Sequence, residues 1–360
     1  MQRYFAEYFA EYPDHGDIRW LLDYSTNDTL KNLYYDCGLE RLRNGNYFFG
    51  DQNSGAIYEV DILGNIINRW SLNNYIFHHQ VLEKPDGNFL VTVTDPTSTH
   101  TDGSPTVEDN VIEINRQTGA IVNRWDLKES LDENRQALTT DTKDWIHENA
   151  LIYDSSDNTI IVSGRTQGVV KLTYDNHIKW ILGPHKGWGT NRRGEDLNQF
   201  LLTPLDALGA PITDPEVLNG DEQAPDFDWN WYQHCIILIP NGDMMMFDNG
   251  TQRNYKTSPT YSRALEVKID PQNMTVQQIW AYGKDRGIST YSAFLSSVQY
   301  LPETGHILFS PGYLVDNGNG KGGKIIELDY KTQQVVFQTS INTPNGWGFH
   351  RVYRISAYPN

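Results

Sequence analysis

Six times along the chain a short strand-like segment ends on a large aromatic behind a polar turn: "GDIRW" at Trp20, "GNIINRW" at Trp70, "GAIVNRW" at Trp125, "NHIKW" at Trp180, "TVQQIW" at Trp280 and "QQVVF" at Phe337. Ahead of most of these aromatics lies a strand such as "AIYEVD", "NVIEIN" or "KIIELD", and ahead of that a hairpin such as "VLEKPDGNFLVTVTD". A repeated unit of four short antiparallel strands buries its faces only by stacking on its neighbours, which is the organisation of a propeller blade. The expectation is an all-β fold, a six-bladed β-propeller in a single domain over residues 1–360, with the repeated aromatics packed between blades. Trp20 has no hairpin before it and "HRVYRISAYPN" has no outer strands after it, so the N-terminal strand is expected to pair with C-terminal strands and close the ring. Residues 184–231, rich in Gly, Pro, Asn and Asp, lack a strand pattern and read as a long functional insertion between blades.

Composition narrows the function classes. The 21 Tyr, 13 Phe and 10 Trp favour β-structure. A formal charge of −17 repels a phosphate backbone over most of the surface, which argues against nucleic acid and leaves an anionic small molecule only where a local basic pocket overrides the field. Apolar runs stay short of a membrane span, so no membrane partner is expected. The two cysteines, Cys37 and Cys235, have neither a disulfide-framework nor a metal-ligand spacing. The segment Met1 to Tyr12 carries acidic residues and no apolar stretch, so it does not read as a signal peptide.

The hairpins can be aligned on their turns. Seven residues before the first members of Asn44-Gly45, Asp86-Gly87 and Asn241-Gly242 lie Cys37, His79 and His234. The turn after Tyr153 puts His147 in the same slot, "SSVQYLPETG" puts Ser296 there, and His350 lies near it in the last unit. Innermost strands line the channel of a propeller, so histidines in equivalent slots are expected to converge. Each hairpin's second strand returns to the end where the first began, bringing Arg165 back beside His147, Asn249 near His234 and Asp95 near His79. Alternation along a strand puts Asn149 on the same wall as His147. Imidazoles, amides and a guanidinium together suit an oxyanion. Trp188, Trp229 and Trp231 are placed either to flank an aryl ring or to form the insertion's own core.

The stretches "DWIHENALIYD", "IIVSGRTQGVVKL", "KWILGPHKGWG", "YQHCIILIPNGDMMMFDNG" and "YSRALEVKIDPQNMTVQQIWAYGKDRG" resemble the bacterial arylsulfate sulfotransferases, over most of residues 38–357. The resemblance implies a ping-pong transfer of a sulfuryl group from an aryl sulfate to a phenol, independent of a nucleotide sulfate, with His234 of the Gln-His element becoming a sulfohistidine. It implies that His147, Asn149, Arg165 and His79 bind the sulfuryl oxygens. Asn249 and His350 are expected to help hold substrate, and His79 or His147 to serve as acid and base. No cofactor and no metal is expected. The resemblance also implies a periplasmic or secreted location and leaves a homodimer open. Against the family's pattern, this chain starts almost at the propeller, without the N-terminal β-domain, and its insertion holds no cysteine. Two other readings are weighed: a metal-dependent enzyme using three histidines, with Asp95 between metal and Arg165, and a non-catalytic propeller scaffold.

Overall fold

The computed structural model describes residues 4–7, 20–23, 26–34 and 37–355. Contacts divide the chain into two compact units, residues 1–99 with 105–125 and 355–360, and residues 100–104 with 126–354.

The first unit carries two meander sheets. Blade 1 runs through Cys37–Arg41, Tyr47–Asp51, Ala56–Val60 and Ile66–Ser71, and blade 2 through Ile76–Glu83, Phe89–Thr94, Asn110–Ile114 and Ile121–Asp126. Middle strands such as Phe89–Thr94 are buried on both faces, which is why they read as unbroken apolar runs, while the outer strand Ile66–Ser71 is largely exposed. Between the blades Phe89 packs 4.3 Å from Phe48 and 4.9 Å from Trp70, ring centre to ring centre. Each ring buried in this way contributes on the order of 2–3 kcal/mol.

The second unit carries three. Blade 3 comprises Glu148–Asp154, Thr159–Gly164, Gly168–Leu172 and Ile178–Leu182, and blade 4 comprises His234–Leu238, Met244–Asp248, Arg263–Asp270 and Thr275–Tyr282. Blade 5 comprises Ser297–Leu301, His306–Ser310, Lys321–Asp329 and Val335–Asn342, with the short Val315–Asp316 pairing on Lys321–Asp329. Residues 184–231 are not strandless: Thr203–Leu205 pairs parallel to Thr275–Tyr282 and covers the outer edge of blade 4.

The all-β expectation holds, but the blade count is five, that of a five-bladed β-propeller, not six. The aromatic repeat marks the outermost strand of each sheet, at Trp70, Trp125, Trp180, Trp280 and Phe337. The sixth occurrence, Trp20, begins Trp20–Asp23, which among the described residues pairs with Tyr4–Glu7 in a two-stranded ribbon; its side chain lies outside the described residues. The expected pairing of N-terminal with C-terminal strands is absent among the described residues. Residues 352 and 354 instead run beside Ser297–Leu301 through side chains, the Val352 N–H donating to Ser297 Oγ at 2.9 Å and the Arg354 N–H to Gln299 Oε1 at 2.7 Å. A lone aromatic slot with one flanking strand did not supply the four strands a blade needs.

Candidate active site

The turns used for alignment form as expected. Gly45, Gly87 and Gly242 have φ of 89°, 90° and 90°, the left-handed conformation that these two-strand turns require of their glycine. A second device recurs at the other end of each innermost strand. Gly38, His79, His147, Cys235 and Ser296 all have positive φ, of 71°, 46°, 50°, 50° and 87°. In blades 1 to 4 the first strand also skips register near this point, between Cys37 and Glu40, Phe77 and Val81, Glu148 and Ala150, and His234 and Ile237. A bulge of this kind re-aims one side chain, and a left-handed non-glycine residue is a strained conformation found most at functional sites.

His234 shows what the bulge achieves. Its side chain is buried, and its Nδ1 lies 2.7 Å from Asn249 Oδ1 and 3.1 Å from the Tyr232 carbonyl. Asn249 cannot present its amino group instead, because its Nδ2 donates to the carbonyls of Ser292, at 2.7 Å, and Leu295, at 3.1 Å. Facing two acceptors, Nδ1 carries the ring proton, so Nε2 carries the lone pair. Burial, then the charge of Arg165, then His350 hold the His234 pKa well below the ordinary histidine value, against the smaller opposite effect of the Asn249 bond. The imidazole is neutral through the physiological range, with Nε2 free of the ring proton.

The remaining groups come from blade 3 and the C-terminal segment. His147 Nδ1 donates to Asp144 Oδ2 at 2.7 Å, and the Arg165 N–H donates to the His147 carbonyl at 3.1 Å, the hairpin return read from the sequence. The Arg165 guanidinium lies 5.1 Å from the Tyr232 ring centre and 5.5 Å from that of Phe294, and 3.7 Å from Asp144. Its Nε is buried and has no hydrogen-bond acceptor among the described residues. Asn149 is fully buried and donates to the Gln233 carbonyl at 2.8 Å, while its Oδ1 has no partner among the described residues. His350 is partly buried; burial, with the charges of Arg351 and His147, pulls its pKa down to about 3. The second unit thus gathers His147, Asn149, Arg165, His234, Asn249 and His350. His79 belongs to the first unit, where its Nδ1 lies 3.2 Å from that of His78 and 3.9 Å from Glu108. Asp95, expected near it, has its carboxylate on Arg124 at 2.8 Å and Thr97 at 2.7 Å.

The sequence of this site has relatives. Residues 2–354 match the family model described as arylsulfotransferase (ASST). The chain belongs to the arylsulfotransferase family. It is 32% identical to the arylsulfate sulfotransferase AssT of Escherichia coli O6:H1 and 31% identical to that of Lelliottia amnigena, over 91% of this chain in each case. It spans 61% of the length of each of these relatives.

Several features of this arylsulfotransferase-family site were not legible in the sequence. Asp144, three residues before His147, gave no signal beyond that spacing. The Arg-Thr-Gln element divides its labour. Arg165 belongs to the site, whereas the Thr166 hydroxyl donates to the Trp145 carbonyl at 2.7 Å and Gln167 bonds Arg135 at 2.7 Å. Gln233 is a tie, its Nε2 donating to Ser163 Oγ and the Gly164 carbonyl, each at 3.0 Å, which locks the start of the His234 strand onto blade 3. Behind the site Arg253 and Arg263 both bond Asp248, at 2.9 and 2.7 Å, and Arg253 also bonds Asp228, all four residues being buried. Burial alone would raise the Asp248 pKa; the two arginines outweigh it and hold it low. Its other oxygen accepts the Trp231 N–H at 2.9 Å and the Gly250 N–H at 3.1 Å, fixing both chain segments that carry His234 and Asn249. Trp188, Trp229 and Trp231 form the insertion's own core: each is buried, with its Nε1 bonded to the Pro184 carbonyl, the Val217 carbonyl and Asp228 respectively.

Proposed function

We propose that this chain is an enzyme that moves a sulfuryl group from an aryl sulfate to a phenol, without a nucleotide sulfate, through a sulfohistidine at His234. The observation that carries this reading is the 2.7 Å contact from His234 Nδ1 to an asparagine oxygen whose amide cannot turn, which leaves the Nε2 lone pair as the reactive group. In the first half, Nε2 forms a bond to sulfur while the aryl C–O–S link breaks at the O–S bond, its electron pair leaving on the phenolate oxygen, which then takes a proton. In the second half a phenol oxygen bonds the sulfur, loses its proton, and the N–S electron pair returns to Nε2. Asn249 is a neutral acceptor and a poor base, so Nδ1 keeps its proton while Nε2 carries the sulfuryl group. The intermediate is then an N-sulfo-imidazolium, whose cationic ring is a better leaving group than a neutral one.

The transferring group is expected to pass through a loose transition state, with charge on the three equatorial oxygens and the departing phenolate. Arg165 and the donors around it are proposed to meet that charge in a partly buried site. His147, oriented by Asp144 in the manner of a base held by a carboxylate, is proposed to supply and remove the phenol proton. His350, kept neutral, is proposed as a group that does not compete with Nε2 for a proton. We place the reaction in the periplasm or outside the cell, as the resemblance implies; no described helix is long and apolar enough to cross a membrane.

The test mixes the protein with p-nitrophenyl sulfate, with and without phenol, and follows nitrophenolate release and intact mass. Phenol-dependent release, with a sulfuryl adduct in the absence of phenol that His234→Ala lacks, supports the transferase. Release equally fast without phenol makes it a sulfatase. One observation favours the metal reading: ligand atoms of His78, His79 and Glu108 all lie within 4.8 Å of one another. Full activity in protein stripped by a chelator and shown free of metal removes that reading.

A further inference from the structure

The His234 ring proton lies between two acceptors that belong to different chain segments, the Tyr232 carbonyl at 3.1 Å and the Asn249 side-chain oxygen at 2.7 Å. Tyr232 directly follows the insertion, and Asn249 directly follows the second strand of blade 4. Both acceptors reach Nδ1 only while the two segments keep one spacing.

A single carboxylate oxygen sets that spacing. Asp248 Oδ1 accepts the Trp231 N–H at 2.9 Å, one residue before Tyr232, and the Gly250 N–H at 3.1 Å, one residue after Asn249. The Gly250 N–H is shared with the Trp231 carbonyl at 3.0 Å, so the segments also meet directly. Gly250 has φ of 75°, and a Cβ on it would meet the Tyr261 carbonyl at 2.1 Å, so this approach requires glycine. The Ser292 and Leu295 carbonyls fix which way the Asn249 amide faces; Asp248 fixes where its backbone stands.

The second oxygen of Asp248 is equally constrained. It accepts from Arg263 Nε at 2.7 Å and from Arg253 Nη2 at 2.9 Å. Arg263 Nη2 donates onward to the Asp228 and Trp229 carbonyls, at 2.9 and 3.0 Å, and Arg253 Nη1 to the Asp228 carboxylate. Asp248 has no exposed surface, so four donors hold a carboxylate that water does not reach. This buried centre brackets the two acceptors of one ring proton.

We infer that Asp248 is a positioning residue for His234: through Trp231 and Gly250 it holds the Tyr232 carbonyl and the Asn249 amide where they keep the ring proton on Nδ1 and leave Nε2 free to attack sulfur. It acts through its neighbours and not on substrate. This rests on the sulfuryl-transfer reading and adds to it the group that fixes the tautomer. Asparagine at this position keeps the size, but its amide has to turn an NH2 toward either the arginines or the two backbone N–H groups, and that pair of contacts is lost. With the acceptors no longer held at Nδ1, the proton is released to Nε2.

The test reads the tautomer directly. Long-range proton–nitrogen spectra of protein carrying isotope-labelled histidine, with His234→Gln to assign the ring, are recorded for wild type, Asp248→Asn and Arg263→Lys. The kcat and KM for p-nitrophenyl sulfate with phenol are measured alongside. Wild type is expected to carry the His234 proton on Nδ1. Asp248→Asn is expected to move it to Nε2 in most molecules and to lower kcat by about ten- to hundredfold, with KM within twofold. Arg263→Lys keeps a cation for Oδ2 but loses the reach to Asp228 and Trp229, and is expected to cost about three- to tenfold in kcat with a smaller share of the proton moved. Thermal melting checks that each variant folds; if Asp248→Asn does not, Arg263→Lys decides alone. A folded variant that keeps the proton on Nδ1, or keeps kcat within twofold of wild type, overturns the positioning role and leaves the transferase reading standing. A wild type that turns over no aryl sulfate, with the proton still moved in the variants, overturns the transferase reading and leaves Asp248 as the group that sets the tautomer.

Discussion

His79 in blade 2 and His234 in blade 4 start from the same local design and end in different chemistry. Both begin seven residues before an X-Gly turn, both are buried, and both sit at a register skip with a left-handed residue, at His79 itself or just after His234. What differs is the group facing Nδ1. For His79 it is a second imidazole at 3.2 Å and a carboxylate at 3.9 Å. For His234 it is a locked amide oxygen, which fixes the proton without stabilising added charge. The backbone of the blade decides where an imidazole is delivered, and for His234 the residue fifteen positions on in the same hairpin decides which ring nitrogen keeps the proton.

The sharpest way to break this comparison is to delete each ring in turn. His234→Ala is expected to lower transfer by at least about a thousandfold and to abolish the sulfuryl adduct. His79→Ala is expected to keep forming the adduct. An adduct that persists in His234→Ala and vanishes in His79→Ala reverses the assignment.

Arg165→Lys comes next. Lysine keeps the charge but not the planar fork resting on Tyr232 and Phe294. A fall of about ten- to hundredfold in kcat/KM for p-nitrophenyl sulfate is expected, with the fold unchanged by thermal melting. A fall below threefold means that point charge alone suffices at this position.

Asn249→Asp tests the difference at Nδ1 itself. In wild type burial and the charge of Arg165 hold the His234 pKa well below 6.5, so any acid limb it sets on kcat/KM lies well below that pH. A carboxylate facing Nδ1 favours the imidazolium and raises that pKa. As pH falls through the new value Nε2 gains a proton and loses its lone pair, so the variant is expected to lose activity on the acid side. Two profiles of the same shape show that the amide does not set the protonation of the ring.

These residues also mark how far the sequence reaches. The X-Gly turns and the slot before them were legible because they are local: hairpin geometry delivers His79, His147 and His234, and the returning strand delivers Arg165 and Asn249. The number of blades was not, because an aromatic slot such as Trp20 looks the same whether it ends a four-stranded sheet or half of a two-stranded ribbon. Nor was the work of Asn249, whose amide is oriented by Ser292 and Leu295, some 43 and 46 residues away. The tryptophans of the insertion were legible as large and apolar, but only their packing separates core rings such as Trp231 from a surface ring such as Trp347.

The smallest effect concerns His350, which sharpens the comparison by showing what burial beside other cationic groups does to an imidazole. Its pKa is drawn down to about 3, against 6.5 for a free histidine. Between those values the unfolded chain binds a proton that the folded chain refuses, so stability is lost as pH falls from about 6.5 and the loss is complete near 3. His350→Gln removes that refused proton. Its unfolding free energy is expected to fall less steeply with acid between pH 6 and 4 than that of wild type, by up to about 1.4 kcal/mol per pH unit. Urea melts at half-unit intervals measure the two slopes. Parallel slopes mean that His350 accepts its proton in the folded protein, and the neutral ring proposed beside His234 is then charged.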